Sequence, residues 1–276
     1  KTVSTLFDLR TVRLSLYGTV GLVPTMGYLH EGHLSLIHRA KAECESVVVS
    51  IFVNPTQFGA NEDLSKYPRD LERDLSLIEP LGVELVWNPT AEIMYPTGYQ
   101  TWVEMEALTR PLEGSIRTSH FKGVTTVVAK LFNAVQPHKA YFGQKDAQQA
   151  AVIRQMVRDL NFPIEMIVCP IMREADGLAM SSRNKYLEGA DRPAATILFR
   201  ALSAAKFAYE GGERNAEKLR TAMKNMLAAE PRAQAQYVSC ADYDTLEELD
   251  VVSGKTLLSM AVLIGKTRLI DNFVLE

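Results

Sequence analysis

Over the first 170 or so residues, short runs that are apolar at nearly every position alternate with longer segments whose apolar positions recur every three or four. Thr19–Val23 ("TVGLV") and Ser46–Val53 ("SVVVSIFV") read as strands on either side of a helix, "LSLIHRAKAECE". Strands with no polar alternation are those covered by helices on both faces, so the unit is βαβ with parallel strands. The pattern recurs: a helix over 65–81 leads into "VELVWNP", and a helix over 123–135 closes at Gln136-Pro137. Next come a strand "KAYF", a helix over 148–160 and a strand "IEMIVCPIM". This alternation predicts an α/β fold, a doubly wound (Rossmann-like) parallel sheet that holds ligands beyond the carboxyl ends of its strands.

After "GLAMSSRN" the pattern changes to two helices, 194–209 and 216–229, followed by three strand-like runs, "AQYVSCADY", "TLLSMAVLI" and "TRLIDNFVL". Helices followed by strands predict a second, smaller α+β C-terminal domain. The division expected is 1–176 for the catalytic domain and 177–276 for the one that closes over it.

Composition narrows the classes. Hydrophobic residues are 47% and charged residues 23% of the 276, ordinary for a globular protein. Thirty Lys and Arg against 33 Asp and Glu leave −3, no basic field for a polyanion, so nucleic acid is not an expected partner. Three scattered cysteines without a CxxC pair suggest a reducing, cytoplasmic setting. "KTVSTLFDLR" lacks a signal peptide's apolar core, and "VVVSIFV" is too short to span a bilayer, so no membrane is expected.

The chemistry concentrates in "VPTMGYLHEGH" (23–33), where a buried strand gives way to a helix. His30 and His33 stand three apart, not in the HExxH arrangement of a helical zinc site. A helix N-terminus offers unpaired N–H groups and positive potential, and Gly27 and Gly32 let backbone approach a ligand, so a nucleotide phosphate fits. Two histidines capping a helix are the plainer alternative. "SGKT" (253–256) and "GKT" (265–267) lack the upstream glycine of a Walker A loop and read as hairpin turns. In "FGQKDAQQ", Asp146 and Gln149 have capping-box spacing, while Lys145 suits a phosphate at the ligand edge. Asn54 and Gln57 in "FVNPTQF" could orient a polar substrate or serve an ordinary turn. "MSSRN" is either a serine-rich connector or a phosphate clamp at the domain junction.

Taken in order, "PTMGYLHEGH", "SIFVNPTQF", "YPRDLERD", "HFKGV", "FGQKDAQQ", "READGLAMSSRN" and "RLIDN" resemble the pantoate–β-alanine ligase family of HxGH nucleotidyltransferase-like proteins, over nearly the whole chain. The resemblance implies that ATP and (R)-pantoate form pantoyl adenylate and pyrophosphate, after which β-alanine displaces AMP to give pantothenate. It implies ATP contacts along Met26, Gly27, Tyr28, Leu29, His30, Glu31, Gly32 and His33, with His33 in the position of the family's proposed proton donor. Gly143, Gln144, Lys145 and Asp146 would hold ribose and phosphates, and Met172 would meet adenine through its backbone. Met180, Ser181, Ser182 and Arg183 would close from the second domain. The catalytic set so implied is His30, His33, Lys145, Ser182 and Arg183. Gln57 and Gln149 would grip pantoate, Gln57 also near β-alanine. Mg2+ would ride mainly on the ATP phosphates; Asp74 is the candidate protein ligand, although Arg73 stands beside it where relatives carry an acid. A homodimer is implied too. The rival readings are a nucleotidyltransferase that leaves AMP on its product, a tRNA synthetase fragment sharing the turn, and a nucleotide-binding protein without catalysis.

Overall fold

The computed structural model describes residues 1–59 and 62–276. Six strands, β1 (Thr2–Val3), β2 (Val20–Thr25), β3 (Ser46–Ile51), β4 (Leu85–Trp87), β5 (Lys139–Gly143) and β6 (Glu165–Cys169), form one sheet in the order β1-β4-β3-β2-β5-β6. All its pairings are parallel. The helices that connect them are α1 (Leu6–Arg13), α2 (Glu31–Glu43), α3 (Leu71–Ile78), the short α4 (Ala91–Met94) and α5 (Glu113–Ile116), α6 (His120–Val135) and α7 (Ala147–Asp159). Side chains from α1, α6 and α7, among them Leu9, Phe132 and Met156, pack on one face of the sheet. Leu36, Ile37 and Ala40 of α2 with Ile78 of α3 cover the other. Burial on both faces explains why β2 and β3 read as unbroken apolar runs. Fully buried aliphatics such as Leu22 and Ile37 each contribute roughly 1.5–3 kcal/mol.

The C-terminal part holds α8 (Asp191–Ala194), α9 (Ile197–Glu210), α10 (Ala216–Ala228) and an antiparallel sheet of β7 (Ala233–Asp242), β8 (Thr256–Ile264) and β9 (Thr267–Leu275) in that order. Helices α9 and α10 lie over this sheet with a core of their own, including Leu202, Leu219 and Met260. A small cluster joins the two parts, Ala151 of α7 meeting Tyr243 and Leu257. The α/β sheet with a smaller α+β unit is therefore the architecture that the hydropathy pattern predicts.

Some boundaries differ. The helix expected over 65–81 begins only at Leu71, because Pro68 disfavours helical backbone at Tyr67 and the Asp70 carboxylate accepts from Arg73 N as an N-cap. Gly265 and Lys266 of "GKT" form the two-residue turn joining β8 to β9, but "SGKT" is a bend leading into β8 rather than a hairpin. Strand β1 pairs with β4 over only two residues, too few for any periodicity to reveal.

Candidate active site

Sheet order reverses at β2, which has β3 on one side and β5 on the other. Chain leaving β2 and β5 diverges there, opening the crevice in which doubly wound sheets hold ligands. The histidine turn leaves β2, and the lysine loop leaves β5.

The turn is held by its own side chains. Gly27 (φ +79°) and Tyr28 (φ +51°) are both left-handed, a pairing that aims successive N–H groups at one point. That point is the buried carboxylate of Asp74 on α3, which accepts from Tyr28 N and from Leu29 N at 2.7 Å each. Arg73 lies 3.5 Å from the same carboxylate, with its guanidinium over the Tyr28 ring. Asp74, expected at a metal, thus has both oxygens engaged in anchoring the turn and stands behind the crevice. Among the described residues no group of three or more His, Cys, Asp or Glu is placed to hold a metal ion.

His30 is the N-cap of α2 and His33 its third residue, and they cap reciprocally. Gly32 N donates to His30 Nδ1 at 3.1 Å, and His30 N donates to His33 Nδ1 at 3.3 Å. The capping reading therefore holds, and both rings also line the crevice. With Nδ1 accepting, each neutral ring carries its proton on Nε2. The N–H groups expected to meet phosphate are already used: Gly27 N on Thr25 Oγ1, Tyr28 and Leu29 on Asp74, His30 and Gly32 on the imidazoles. The caps leave the Nε2–H groups of both rings for a ligand. Burial foremost, with Lys145 nearby, lowers His30 to about 4. Burial foremost, then His30 and Lys145, lowers His33 to about 3. Both rings are neutral at pH 7.

Depressed histidine pKa values make the fold acid-sensitive. The unfolded chain takes up protons near 6.5 that the folded chain refuses until about 4 or below, so stability falls as pH drops through that window. Thermal melts at pH 7 and pH 5 are expected to show a lower midpoint in acid, and His33→Gln should flatten that dependence. A midpoint equally pH-dependent in the variant would count against it.

After β5, residues 144–146 make a single turn into α7. The capping box anticipated from spacing does not form: Asp146 occupies the N-cap without a side-chain bond, and Asp146, Gln149 and Lys145 all line the crevice instead. Gln144 turns away, donating to Asn272 Oδ1 at 3.0 Å and accepting from the Tyr243 hydroxyl at 3.2 Å.

Beyond β3, Asn54 fixes Gln57. Its amide donates to Gln57 Oε1 and to Gly123 O, both at 3.1 Å, while its Oδ1 accepts from the Tyr95 hydroxyl at 2.8 Å. Helix α6 packs so tightly here that a Cβ on Gly123 would lie 2.4 Å from Thr56 O, which explains the glycine of "HFKGV". His120 Nδ1 lies 2.9 Å from Gln57 O and its Nε2 3.2 Å from Arg117 Nη1. Since the Arg117 guanidinium can only donate, His120 is neutral with its proton on Nδ1; burial, then Arg117, lowers it to about 4. Arg117, His120, Tyr67 and Asn54 line the same crevice. Of these, sequence reasoning singles out Asn54 alone; Tyr67 in "YPRDLERD" and His120 in "HFKGV" gain no role from it, and Arg117, a single arginine in a loop, carries no local signal.

The "MSSRN" loop closes the crevice from the C-terminal part. Ser181 accepts from Arg183 N, Ser182 donates to Tyr28 O at 3.2 Å, and Arg183 pairs with Asp63 at 3.0 Å. Met172, Met180, Ser181, Ser182 and Arg183 all reach the crevice wall, as do Met26, His30, Gly32, His33, Gly143 and Gln57. Gly27, Tyr28, Leu29, Glu31 and Gln144 do not: Leu29 is buried in the core and Glu31 is exposed at the start of α2. The described lining carries Lys145, Arg117 and Arg183 against the one acid Asp146, with Glu62 and Asp63 pairing the two arginines from outside it.

The comparisons with known proteins agree with one another. The family model "Pantoate-beta-alanine ligase" matches residues 1–274. A pantothenate synthetase of Roseiflexus sp. is 58% identical over 276 residues, 100% of this chain and 99% of the relative. The crystal structure of the pantothenate synthetase of Thermus thermophilus superposes with a TM-score of 0.95 at 46% identity, covering 99% of this chain and 98% of that one. A Francisella tularensis pantoate-beta-alanine ligase, complexed with beta-gamma ATP and beta-alanine, gives 0.82 at 36% identity, over 99% of this chain and 97% of that one.

Proposed function

The chain belongs to the pantoate–β-alanine ligase family, and on that footing we propose which of its groups carry each part of the reaction. That reaction is the ATP-dependent joining of (R)-pantoate and β-alanine to pantothenate, with AMP and pyrophosphate released. In the first step a pantoate carboxylate oxygen attacks the α-phosphorus of ATP. The new P–O bond forms as the bond to the β-phosphate bridge breaks, leaving pantoyl adenylate and pyrophosphate. In the second step the β-alanine amine attacks the acyl carbon, the C–O bond to the phosphate breaks, AMP leaves with the electron pair, and the amine gives up a proton.

The observation that carries the assignment is that His30 and His33, their Nδ1 atoms spent on capping α2, line one crevice together with Lys145 and Arg183. Charge builds on the phosphate oxygens during in-line displacement, and donors already oriented by their own hydrogen bonds stabilise it without reorganising. Neutral imidazoles serve as donors here, and their pKa values rise once phosphate is beside them. Ser182 and Arg183 reach the same oxygens from the loop. Gln57, held by Asn54 and by the His120 contact to its carbonyl, grips pantoate together with Gln149 through neutral amides, and Gln57 borders the β-alanine position. Met172 meets adenine through its backbone.

Mg2+ belongs to this reading as a companion of ATP. The crevice offers it Asp146 alone among acids of the described wall, so no protein cage fits it. Bound on the phosphates, it would neutralise their charge. The boundary near residue 177, the homodimer and the cytoplasmic setting extend the same reading; three free, buried cysteines support a reducing compartment.

Pantoate-dependent exchange of labelled pyrophosphate into ATP, run without β-alanine, tests the function. Exchange is expected. ATP binding without exchange would leave only a nucleotide-binding protein.

A further inference from the structure

The block "RLIDN" is one of the motifs that the reaction itself does not absorb. It lies on β9, whose one sheet partner is β8, and its free edge turns toward the loop that leaves β5. Two bidentate ion pairs fasten this edge to the α/β part: Arg268 to Glu113 and Asp271 to Arg173, all four contacts at 2.7–2.8 Å. Next to the second anchor, Asn272, 3% exposed, makes a different kind of contact. Its Nδ2 donates to Gln144 O and to Lys145 O, both at 3.0 Å, and its Oδ1 accepts from Gln144 Nε2 at 3.0 Å.

The two carbonyls belong to the peptide units on either side of the Lys145 Cα. One amide group thereby fixes both planes from which that Cα is built, and with them the direction in which the lysine stem leaves. Lysine is a point charge on a long flexible stem, so the orientation of its base decides how often the ammonium meets a phosphate. We propose that Asn272 is a positioning residue that aims Lys145 into the crevice, so that the C-terminal sheet sets the geometry of the phosphate site in the other part of the molecule. This rests on the reading of Lys145 as a phosphate contact. The ion pairs to Glu113 and Arg173 hold the two parts together without Asn272, which separates its role from mere docking.

The test is a double-mutant cycle in the full chain, read in the pyrophosphate-exchange half-reaction and in β-alanine attack on supplied pantoyl adenylate. Loss of two neutral hydrogen bonds predicts that Asn272→Ala lowers kcat/KM for ATP by about 10- to 100-fold. A rise in the KM for ATP should accompany that loss, and the second half-reaction should stay nearly unaffected. In a Lys145→Ala background the same substitution should cost about twofold or less, because residues that act as a unit are not additive. Equal losses in both backgrounds, or in both half-reactions, would overturn the proposal. A fully active Lys145→Ala chain would instead overturn the reading of Lys145, and the proposal with it. If Asn272→Ala does not fold, Gln144→Ala removes the side-chain partner of the Asn272 amide; a smaller loss that also vanishes without Lys145 is expected, and a loss independent of Lys145 would refute the idea.

Discussion

His33→Ala is expected to slow pyrophosphate exchange about 10²–10³-fold, the range for removing one preoriented donor from a developing oxyanion. The reason is local. His33 Nδ1 is tied to His30 N, so its Nε2–H points outward from a ring that is buried and, with a pKa near 3, uncharged at neutral pH. A neutral donor in this setting stabilises charge as it forms on the phosphate and costs little when the oxygens are in their ground state. In the attack of β-alanine on supplied pantoyl adenylate, charge gathers first on the acyl oxygen and passes to AMP only as it leaves, with no β- or γ-phosphate present, so this step should slow far less. The substitution also removes the acceptor for His30 N, so His30→Ala is measured beside it: shared capping predicts that the two losses will not add. Equal slowing of both half-reactions by His33→Ala would remove the residue from adenylation.

What the sequence revealed, and what it hid, divides along physical lines. Strand runs such as Ser46–Val53 and the helix of "GVTTVVAKLFNAV" follow from burial, which leaves a period in the chain, and so the doubly wound sheet was legible. Helix starts set by a single cap were not, as Asp70 shows for α3. That residues from motifs at different strand ends would line one crevice was legible, because sheet topology fixes where strand ends go. Arg117, brought to the crevice by Glu62 and His120 across a loop, depends on contacts that no spacing encodes. The anchoring of the turn by Asp74 was hidden for the same reason: an acid in a motif reads as a ligand, and no spacing shows that Tyr28 N and Leu29 N donate to its carboxylate.

Arg183→Ala is expected to cost adenylation about 10²-fold, again the scale for one charge-stabilising group, and to uncouple the two half-reactions. Arg183 lines the crevice while its guanidinium is held by Asp63 at 3.0 Å, and Ser182 beside it is tied to Tyr28 O at the turn. The loop thus touches the α/β part at both the turn and Asp63, and a triphosphate bound as proposed would compete with Asp63 for the same guanidinium. Transfer from carboxylate to phosphate would draw the loop further over the crevice, and a closed loop keeps water from the activated acyl group. Without the arginine more pantoyl adenylate should be lost to hydrolysis, read as AMP released in excess of pantothenate. Asp63→Asn should act in the opposite direction, lowering the KM for ATP, because the arginine is then free for phosphate. Amide exchange over residues 178–186 should slow when ATP and pantoate are both present. If exchange there is indifferent to ligands and Arg183→Ala stays fully coupled, the loop is a connector, and Lys145 with the two imidazoles must hold the triphosphate unaided.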